Sequence, residues 1–478
     1  MRYFLLTLGC QMNKSDSERI RTVLENMGYH SGSEEEADLI GVVACSVRQK
    51  AIDRVYSKIY KWNRMKANRN LVTFLTGCVL PADKKKFDKL FDLVFTTNEL
   101  PDMPDMLRQY GVVTSFTTSL WSGSKTHKHH EAFPPLTEIA RDKQTPGNRQ
   151  DGRTIMDRLW KIRPTYHSEF EAFVPIQNGC NKFCTFCAVP YTRGREVSRS
   201  SHEILDEIRM LMEHGYKSIT LLGQNVNSYG KDRPDTELSF AGLLEEIGKL
   251  CENYGNKCWV YFTSPHPRDM KYEVIDVISR YCCLARQIHL PLQSGDDEIL
   301  RRMNRKHTVE DYRKIIQYIR HKLPEATLFT DIIVGFPGET DTQFENTRKA
   351  LAEFQFNMAY IAIYSPRPGT VSTRWKDDIP MSVKKTRLHT LTDDLEKTAL
   401  KWTKELLDRE VTILVTGKDR KAEYLDGHTE GRINVRFHSP DISLIGRFVR
   451  VRITSVIPFS VEGKLIEVEE KAWTSPVK

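Results

Sequence analysis

Cys180, Cys184 and Cys187 stand at C-x3-C-x2-C spacing inside residues 178–199, close enough for one loop to wrap three thiolates around one cluster. Four-iron clusters normally take four cysteine thiolates, so three leave one iron open to a ligand from outside the protein. Phe186 directly precedes the last cysteine, where its ring can cover a nucleobase held near that iron. A zinc site uses four Cys or His ligands, commonly in paired C-x2-C blocks, and no second pair follows here. Three structural thiols meeting this spacing by chance beside an aromatic is the bland alternative, and the pattern argues against it.

The rest of the chain is long enough to carry such a site on a substantial scaffold. Its 478 residues suggest two to four domains, and 40% hydrophobic with 28% charged residues is a soluble globular composition. No apolar run approaches the ~18 residues of a membrane span. The first ten residues turn polar too quickly for a signal peptide and read as a buried strand. Ten cysteines without disulfide-framework spacing fit a reducing cytosol, so a cytoplasmic location is expected. The net charge of +8 mildly favours a polyanionic partner.

Residues 2–8, 39–43 and 71–75 read as strands. Between them, Ile20, Val23, Leu24 and Met27, then Ile52, Val55, Ile59 and Tyr60, form helical stripes. Ser15-Asp16-Ser17-Glu18 reads as the start of the first helix and Gly28 as its end. This alternation predicts a parallel α/β domain, whose strands end along one ligand-binding edge. Cys10, Cys45 and Cys78 each fall at such an end, so three thiols far apart in sequence are expected to meet around a second cluster. Single cysteines are common in buried positions, but three at equivalent positions favour a site. Residues 91–95 and 102–110 supply a last strand and helix, closing a domain over 1–114. Residues 115–166 lose periodicity and contain Pro134-Pro135, Pro146-Gly147 and a basic run through His129-His130, which reads as a solvated linker.

From residue 167 to 400 strands and helices alternate again, with strands at 173–177, 218–222, 259–263, 287–292, 328–334 and 360–364. Six βα repeats predict a partial (βα)6 barrel with ligand groups at the strand C-termini. Gln224, Asn225, Ser264 and Gln293 lie there and, with Phe186, are the candidate cofactor contacts. Arg193 and Arg195 offer two forked cations for a cofactor carboxylate or an RNA phosphate. Cys251, Cys258, Cys282 and Cys283 lack cluster spacing and read as ordinary core or surface thiols. No Ser/His/Asp or Cys/His arrangement is found, so no catalytic side chain is assigned beyond the cluster ligands.

A helical connector over 383–409 precedes short strands at 411–415, 432–437, 448–453 and 463–468, which predict a small β-barrel over 401–470. Such barrels often bind oligonucleotides, and Arg450 and Arg452 are the candidate RNA contacts among its many cations.

The set as a whole resembles the radical S-adenosylmethionine (SAM) methylthiotransferase family over nearly the whole chain. Gly9-Cys-Gln-Met-Asn13, Cys45-Ser-Val-Arg-Gln-Lys-Ala51 and Gly77-Cys78 are similar to its N-terminal cluster domain; residues 178–199 and 221–229 resemble its radical SAM domain, and the last seventy residues its RNA-binding TRAM domain. Gly-Cys-Gln-Met-Asn and Cys-Ser-Val-Arg resemble the MiaB branch, which converts N6-isopentenyladenosine beside the tRNA anticodon to its 2-methylthio derivative. The resemblance implies an α/β protein with an N-terminal parallel domain, a partial (βα)6 barrel and a TRAM-like β-barrel. It further implies two [4Fe-4S] clusters and SAM, with Cys180, Cys184 and Cys187 at the cluster that splits SAM into methionine and a 5′-deoxyadenosyl radical. Cys10, Cys45 and Cys78 then belong to the cluster whose sulfur is methylated by a second SAM and joined to C2 of the base. The implied partners are the tRNA anticodon loop, an electron donor such as flavodoxin or ferredoxin, and a sulfur donor the sequence does not identify. Alternatives are a methylthiotransferase for threonylcarbamoyl-adenosine in tRNA, whose branch usually shows Gly-Cys-Lys-Val-Asn, and a noncatalytic iron–sulfur RNA-binding protein. Two departures stand out: Val43-Ala44 where the MiaB branch usually has Asn-Thr, and Pro265 lengthening its usual Thr-Ser-His-Pro.

Overall fold

The structure, a computed structural model, describes residues 1–45, 49–110, 152–255 and 257–468. It divides into two compact units, Met1–His167 with Ala188–Arg199, and Ser168–Cys187 with the chain from Ser200 onward.

The first unit is built on five parallel strands: β1 (Arg2–Thr7), β2 (His30–Ser31), β3 (Leu39–Cys45), β4 (Val72–Cys78) and β5 (Leu93–Val94), in the order β2-β1-β3-β4-β5. Every residue of β3 is buried because both sheet faces are covered. Leu39 and Val43 enter a core shared with Ile20, Val23 and Leu24; Ile40, Val42 and Ala44 enter the opposite one with Ile52, Val55 and Trp62. The order reverses between β1 and β3, and a reversal of this kind opens a crevice at the strand C-termini. All four expected strands are present, the last shortened to Leu93–Val94, and the edge strand β2 lacks the apolar run that would have announced it.

Two expectations need correction. The first helix spans Gln11–Asn26, so Cys10 occupies its N-cap position. Ser15, expected near the helix start, is instead buried within it and accepts a hydrogen bond from Arg19 at 2.9 Å. The expected linker divides as well. Residues 111–151, with the histidine run, lie outside the described residues, whereas a helix spans Gly152–Trp160 and inserts Met156, Leu159 and Trp160 into the first unit's core. Its apolar positions at helical spacing give it a face to bury, which a solvated linker lacks.

In the second unit β6 (Glu171–Pro175), β7 (Ser218–Leu222) and β8 (Trp259–Phe262) form one parallel sheet, and β9 (Gln287–His289), β10 (Thr327–Val334) and β11 (Met358–Ile363) another. A parallel bridge between Val260 and Leu284 ties the lead-in to β9 onto β8, so six strands follow one another in sequence order. This is the partial (βα)6 barrel. The helix Met381–Lys404 leads to a closed barrel of β12 (Glu410–Lys418), β13 (Tyr424–Thr429), β14 (Asn434–His438), β15 (Phe448–Ile457) and β16 (Ser460–Val468), ordered β12-β13-β14-β16-β15. Strand β13 was not expected, because Asp426-Gly427-His428 interrupts the apolar alternation.

The closed barrel plugs the floor of the partial one, at the N-terminal ends of its strands. Glu430 accepts hydrogen bonds from Arg286 N at 2.8 Å and from the Tyr261 hydroxyl at 3.0 Å, and Gly431 O accepts from Thr327 Oγ1 at 2.8 Å. The Arg432 guanidinium lies 3.9 Å over the Tyr261 ring, and Trp259 packs on Phe448 with ring centres 4.6 Å apart.

Candidate cluster and cofactor sites

In the first unit the crevice at the strand ends is lined by thiols. Cys45 and Cys78 are paired residues at the ends of β3 and β4, and Cys10 approaches from the start of the helix after β1. Asn13 sits between them. Its Oδ1 accepts from Cys10 Sγ at 3.4 Å and from Cys78 Sγ at 3.7 Å, while its Nδ2 donates to Ala44 O at 2.8 Å. Backbone contact thus supports the thiols where Val43-Ala44 departs from the family pattern. Gly9 and Gly77 make room: a Cβ on Gly9 would lie 2.9 Å from Cys45 Cβ, and one on Gly77 only 2.4 Å from Ala44 O, with φ of +146° and +105°. A hydrogen bond to Cys45 and burial push the Cys78 thiol up; burial does the same for Cys10, opposed by the positive charge of Arg193.

Arg193 was expected to meet a cofactor carboxylate or an RNA phosphate. It is instead 7% exposed, ion-paired with the buried Asp16, and donates from Nε to Cys78 Sγ at 2.9 Å. Burial opposes its charge, but Asp16 and Cys78 hold its pKa above the usual guanidinium range. Arg195 is exposed.

In the second unit Cys180 is buried, and Cys184 and Cys187 are half-buried, in the loop after β6. The loop is clamped by backbone contacts. Cys187 N donates to Cys184 O at 3.0 Å and Thr185 N to Met303 O at 3.1 Å. Asn304 Nδ2 donates to Phe183 O at 2.9 Å and to Lys182 O at 3.2 Å; Phe183 itself takes a left-handed φ of 49°. Phe186 packs edge-on against Phe336, with centres 6.4 Å apart. Arg305 Nη1 approaches Cys184 Sγ at 3.5 Å.

The strand-end candidates divide. Gln224 Oε1 accepts from Gly179 N at 2.5 Å, directly beside Cys180. Asn225 is buried and donates to Ser228 Oγ at 2.8 Å and Asp269 Oδ2 at 3.0 Å. Gln293 is bound into the backbone ladder with β10. Ser264 is exposed, with φ of 59°.

Sequence reasoning missed the residues around these. Asp269 holds Lys182, from between the cluster cysteines, and Lys231 at 2.7 Å. Burial raises the Asp269 carboxyl, but hydrogen bonds from Asn225, Lys182 and Lys231 bring it well below the usual range. His266, behind the extra Pro265, is buried; burial and Arg305 lower its pKa to about 2, keeping it neutral. The signal was present in the two prolines that fix His266 at a strand end.

The residues themselves test whether clusters and a cofactor fit. Two sets of three thiols suit iron–sulfur clusters. Among the described residues no three Cys, His, Asp or Glu side chains are grouped to hold a single metal ion, and a four-iron cluster spreads its thiolates over several irons. Gln177 Oε1, Asn225 Oδ1 and His266 Nε2 are buried without a hydrogen-bond partner among the described residues, which suits a polar ligand. Cys251, Cys258 and Cys283 are core thiols, and hydrogen bonds to the other two, with burial, raise Cys251.

The C-terminal candidates are less open than expected. Arg452 pairs with Glu410 at 2.6 Å, and Arg450 lies between Glu410 and Glu467 at 3.7 and 3.5 Å.

Comparisons with known proteins agree with this architecture. Residues 174–351 match the radical SAM superfamily, residues 406–466 the TRAM domain, and residues 2–96 an uncharacterised protein family, UPF0004. A radical SAM methyltransferase, TsrM from Kitasatospora setae, shares the fold with a TM-score of 0.51 at 13% identity, over 78% of this chain and 73% of its own. Fold and matches define a radical SAM protein with a C-terminal TRAM barrel. The tRNA-2-methylthio-N(6)-dimethylallyladenosine synthase of Oceanobacillus iheyensis is 37% identical over 475 residues, 98% of this chain and 84% of the relative. That of Geobacillus kaustophilus is 36% identical over 473 residues, covering 97% and 82%. The chain belongs to this synthase family, the MiaB branch of the radical SAM methylthiotransferases.

Proposed function

We propose that the protein methylthiolates C2 of N6-isopentenyladenosine beside the anticodon of tRNA. The observation that supports this most is the meeting of Cys10 and Cys78 on Asn13, with Cys45 paired beside Cys78, in a chain with a second cysteine triplet on its barrel rim. In this reading Cys180, Cys184 and Cys187 hold one [4Fe-4S] cluster, and Cys10, Cys45 and Cys78 the other. Bound clusters and SAM supply the one-electron chemistry, sulfur and methyl group that amino-acid side chains lack.

The chain's own residues bind and orient. Phe186 covers the nucleobase of SAM, while Gln224, Asn225, Ser264 and Gln293 offer polar groups around it; neutral His266, whose Nδ1 accepts from Arg268 N at 3.2 Å, presents its Nε2–H as a donor beside them. Asp269 holds Lys182 and so fixes the cluster loop from below. The target base leaves its stack to enter the site. The C-terminal barrel and Arg195 contact the RNA; Arg450 and Arg452 do so by exchanging their acidic partners for phosphate. A low-potential electron donor such as flavodoxin or ferredoxin and a separate sulfur donor complete the system, in the cytoplasm. No helix among the described residues is long and apolar enough to cross a membrane.

The test is anaerobic reconstitution with SAM, reductant, a sulfur source and isopentenylated tRNA, followed by mass spectrometry of digested nucleosides. A methylthio-isopentenyladenosine peak lost in both Cys180→Ala and Cys45→Ala is the expected result. Deoxyadenosine without that peak moves the substrate to threonylcarbamoyl-adenosine tRNA. Neither product from fully loaded protein leaves a noncatalytic RNA-binding role.

A further inference from the structure

We propose that Arg193, oriented by Asp16, is a positioning residue for the cluster of the first unit: its Nε–H donates to the Cys78 sulfur and lowers that sulfur's electron density. The proposal rests on the reading of Cys10, Cys45 and Cys78 as cluster ligands.

The geometry is that of a built site. Arg193 and Asp16 are 7% and 5% exposed, so both charges have left water. A buried ion pair recovers its desolvation cost only when geometry and further hydrogen bonds are favourable, and apolar residues of similar size often do as well. An ion pair serving the fold alone has no need of a thiol. Here the fork is divided: one Nη faces Asp16 Oδ2, while Nε is aimed at Cys78 Sγ at 2.9 Å. A planar guanidinium can serve both partners at fixed angles, whereas a lysine ammonium is a point charge.

The helix dipole at Cys10 acts in the same sense, whereas Asn13 opposes it, because its acceptor Oδ1 faces both sulfurs. The Asn13 amide stands between Cys10 and Cys78 and is held by Ala44 O. Cys10 occupies a helix N-cap, where the positive end of the helix dipole favours a thiolate. Arg193 adds a full cation and a directed hydrogen bond to Cys78. Hydrogen bonds to ligand sulfurs and local net charge are among the levers that set a cluster's reduction potential. Loss of Arg193 therefore leaves the sulfur more electron-rich and the cluster harder to reduce.

The experiment uses the full chain with Cys180→Ala, Cys184→Ala and Cys187→Ala, so that only the first unit's cluster is read. About four irons per chain are expected to remain. Potentiometric titration followed by electron paramagnetic resonance then compares this chain with added Arg193→Gln or Arg193→Lys. The expected result is unchanged iron, a midpoint shifted to more negative potential in Arg193→Gln, and a smaller shift in the same direction in Arg193→Lys. An unmoved midpoint in iron-loaded Arg193→Gln overturns the proposal. An unmoved midpoint in Arg193→Lys alone overturns the directed bond and reduces the effect to charge. Should the variants fail to load iron, the chain retaining Arg193 is labelled with 15N-arginine and its reduced cluster examined for hyperfine coupling to 15N; absence of coupling overturns the proposal. Absence of iron from the chain retaining Arg193 removes the cluster reading itself, and the proposal falls with it.

Discussion

Gly77 has little conformational freedom. Its φ of +105° lies in the left-handed half of backbone space, and the missing Cβ makes room for Ala44 O at the thiol crevice. A side chain there costs about 1–3 kcal/mol in backbone strain before the contact is counted. Gly77→Ala is expected to displace Cys78 and roughly halve the iron of reconstituted protein, from about eight to about four per chain, which a colorimetric iron assay reads. At this scale the sequence was uneven. The cysteine triplets were legible because cluster chemistry imposes thiols and close spacing, and strand ends impose a meeting place. Arg193 was legible only as a cation near cysteines, since nothing local says that its partners are Asp16 and Cys78. Lys182 stood in plain view between two cluster cysteines, yet its role depends on Asp269, brought to it by a different strand end.

Among the elements, the cluster loop shows how irregular backbone is held. Few of its hydrogen bonds belong to a helix or sheet ladder; instead Asn304, Met303 and Ser372 reach in from the barrel side. Asn304 has a left-handed φ of 59°, so Asn304→Gly preserves the backbone and removes only the amide. Losing its two bonds should destabilise the closed loop by about 1–3 kcal/mol. The expected outcome is faster hydrogen–deuterium exchange over residues 180–187 and faster iron loss to a chelator from that loop, with the first unit's iron retained. Elements with strong periodicity were legible: the central strands and the long helix Met381–Lys404 fall within a few residues of expectation. Those that sequence reasoning missed are held by neighbours. The edge strand β2 is two residues long and pairs only with β1, while β13 closes its barrel despite Asp426 and Gly427.

For the molecule as a whole, the seam between the partial barrel and the closed barrel carries the pH dependence that is easiest to test. His428 at this seam is buried and neutral: Nδ1 donates to Thr429 O at 3.0 Å and Nε2 accepts from Arg432 at 2.8 Å. Burial and the adjacent Arg432 lower its pKa to about 3 from an ordinary 6.5. The unfolded seam therefore binds a proton that the folded seam refuses. Stability is fully present above about pH 6.5 and falls as the pH drops towards 3, by about 1.4 kcal/mol at pH 5.5. Hydrogen exchange over residues 425–435 should accelerate between pH 7.5 and 5.5, after correction for intrinsic rates, and His428→Gln should flatten that dependence. The same seam has a practical consequence. Trp259, Tyr261 and Ala285 of the partial barrel share one apolar cluster with Leu414 and Phe448 of the closed barrel. Cutting the chain after the long helix would leave those aromatic rings facing water at the foot of the catalytic scaffold, where they favour aggregation. The C-terminal barrel cannot be shed like a detachable RNA-binding tag, and a truncated enzyme that loses activity says as much about a missing floor as about a missing grip on tRNA.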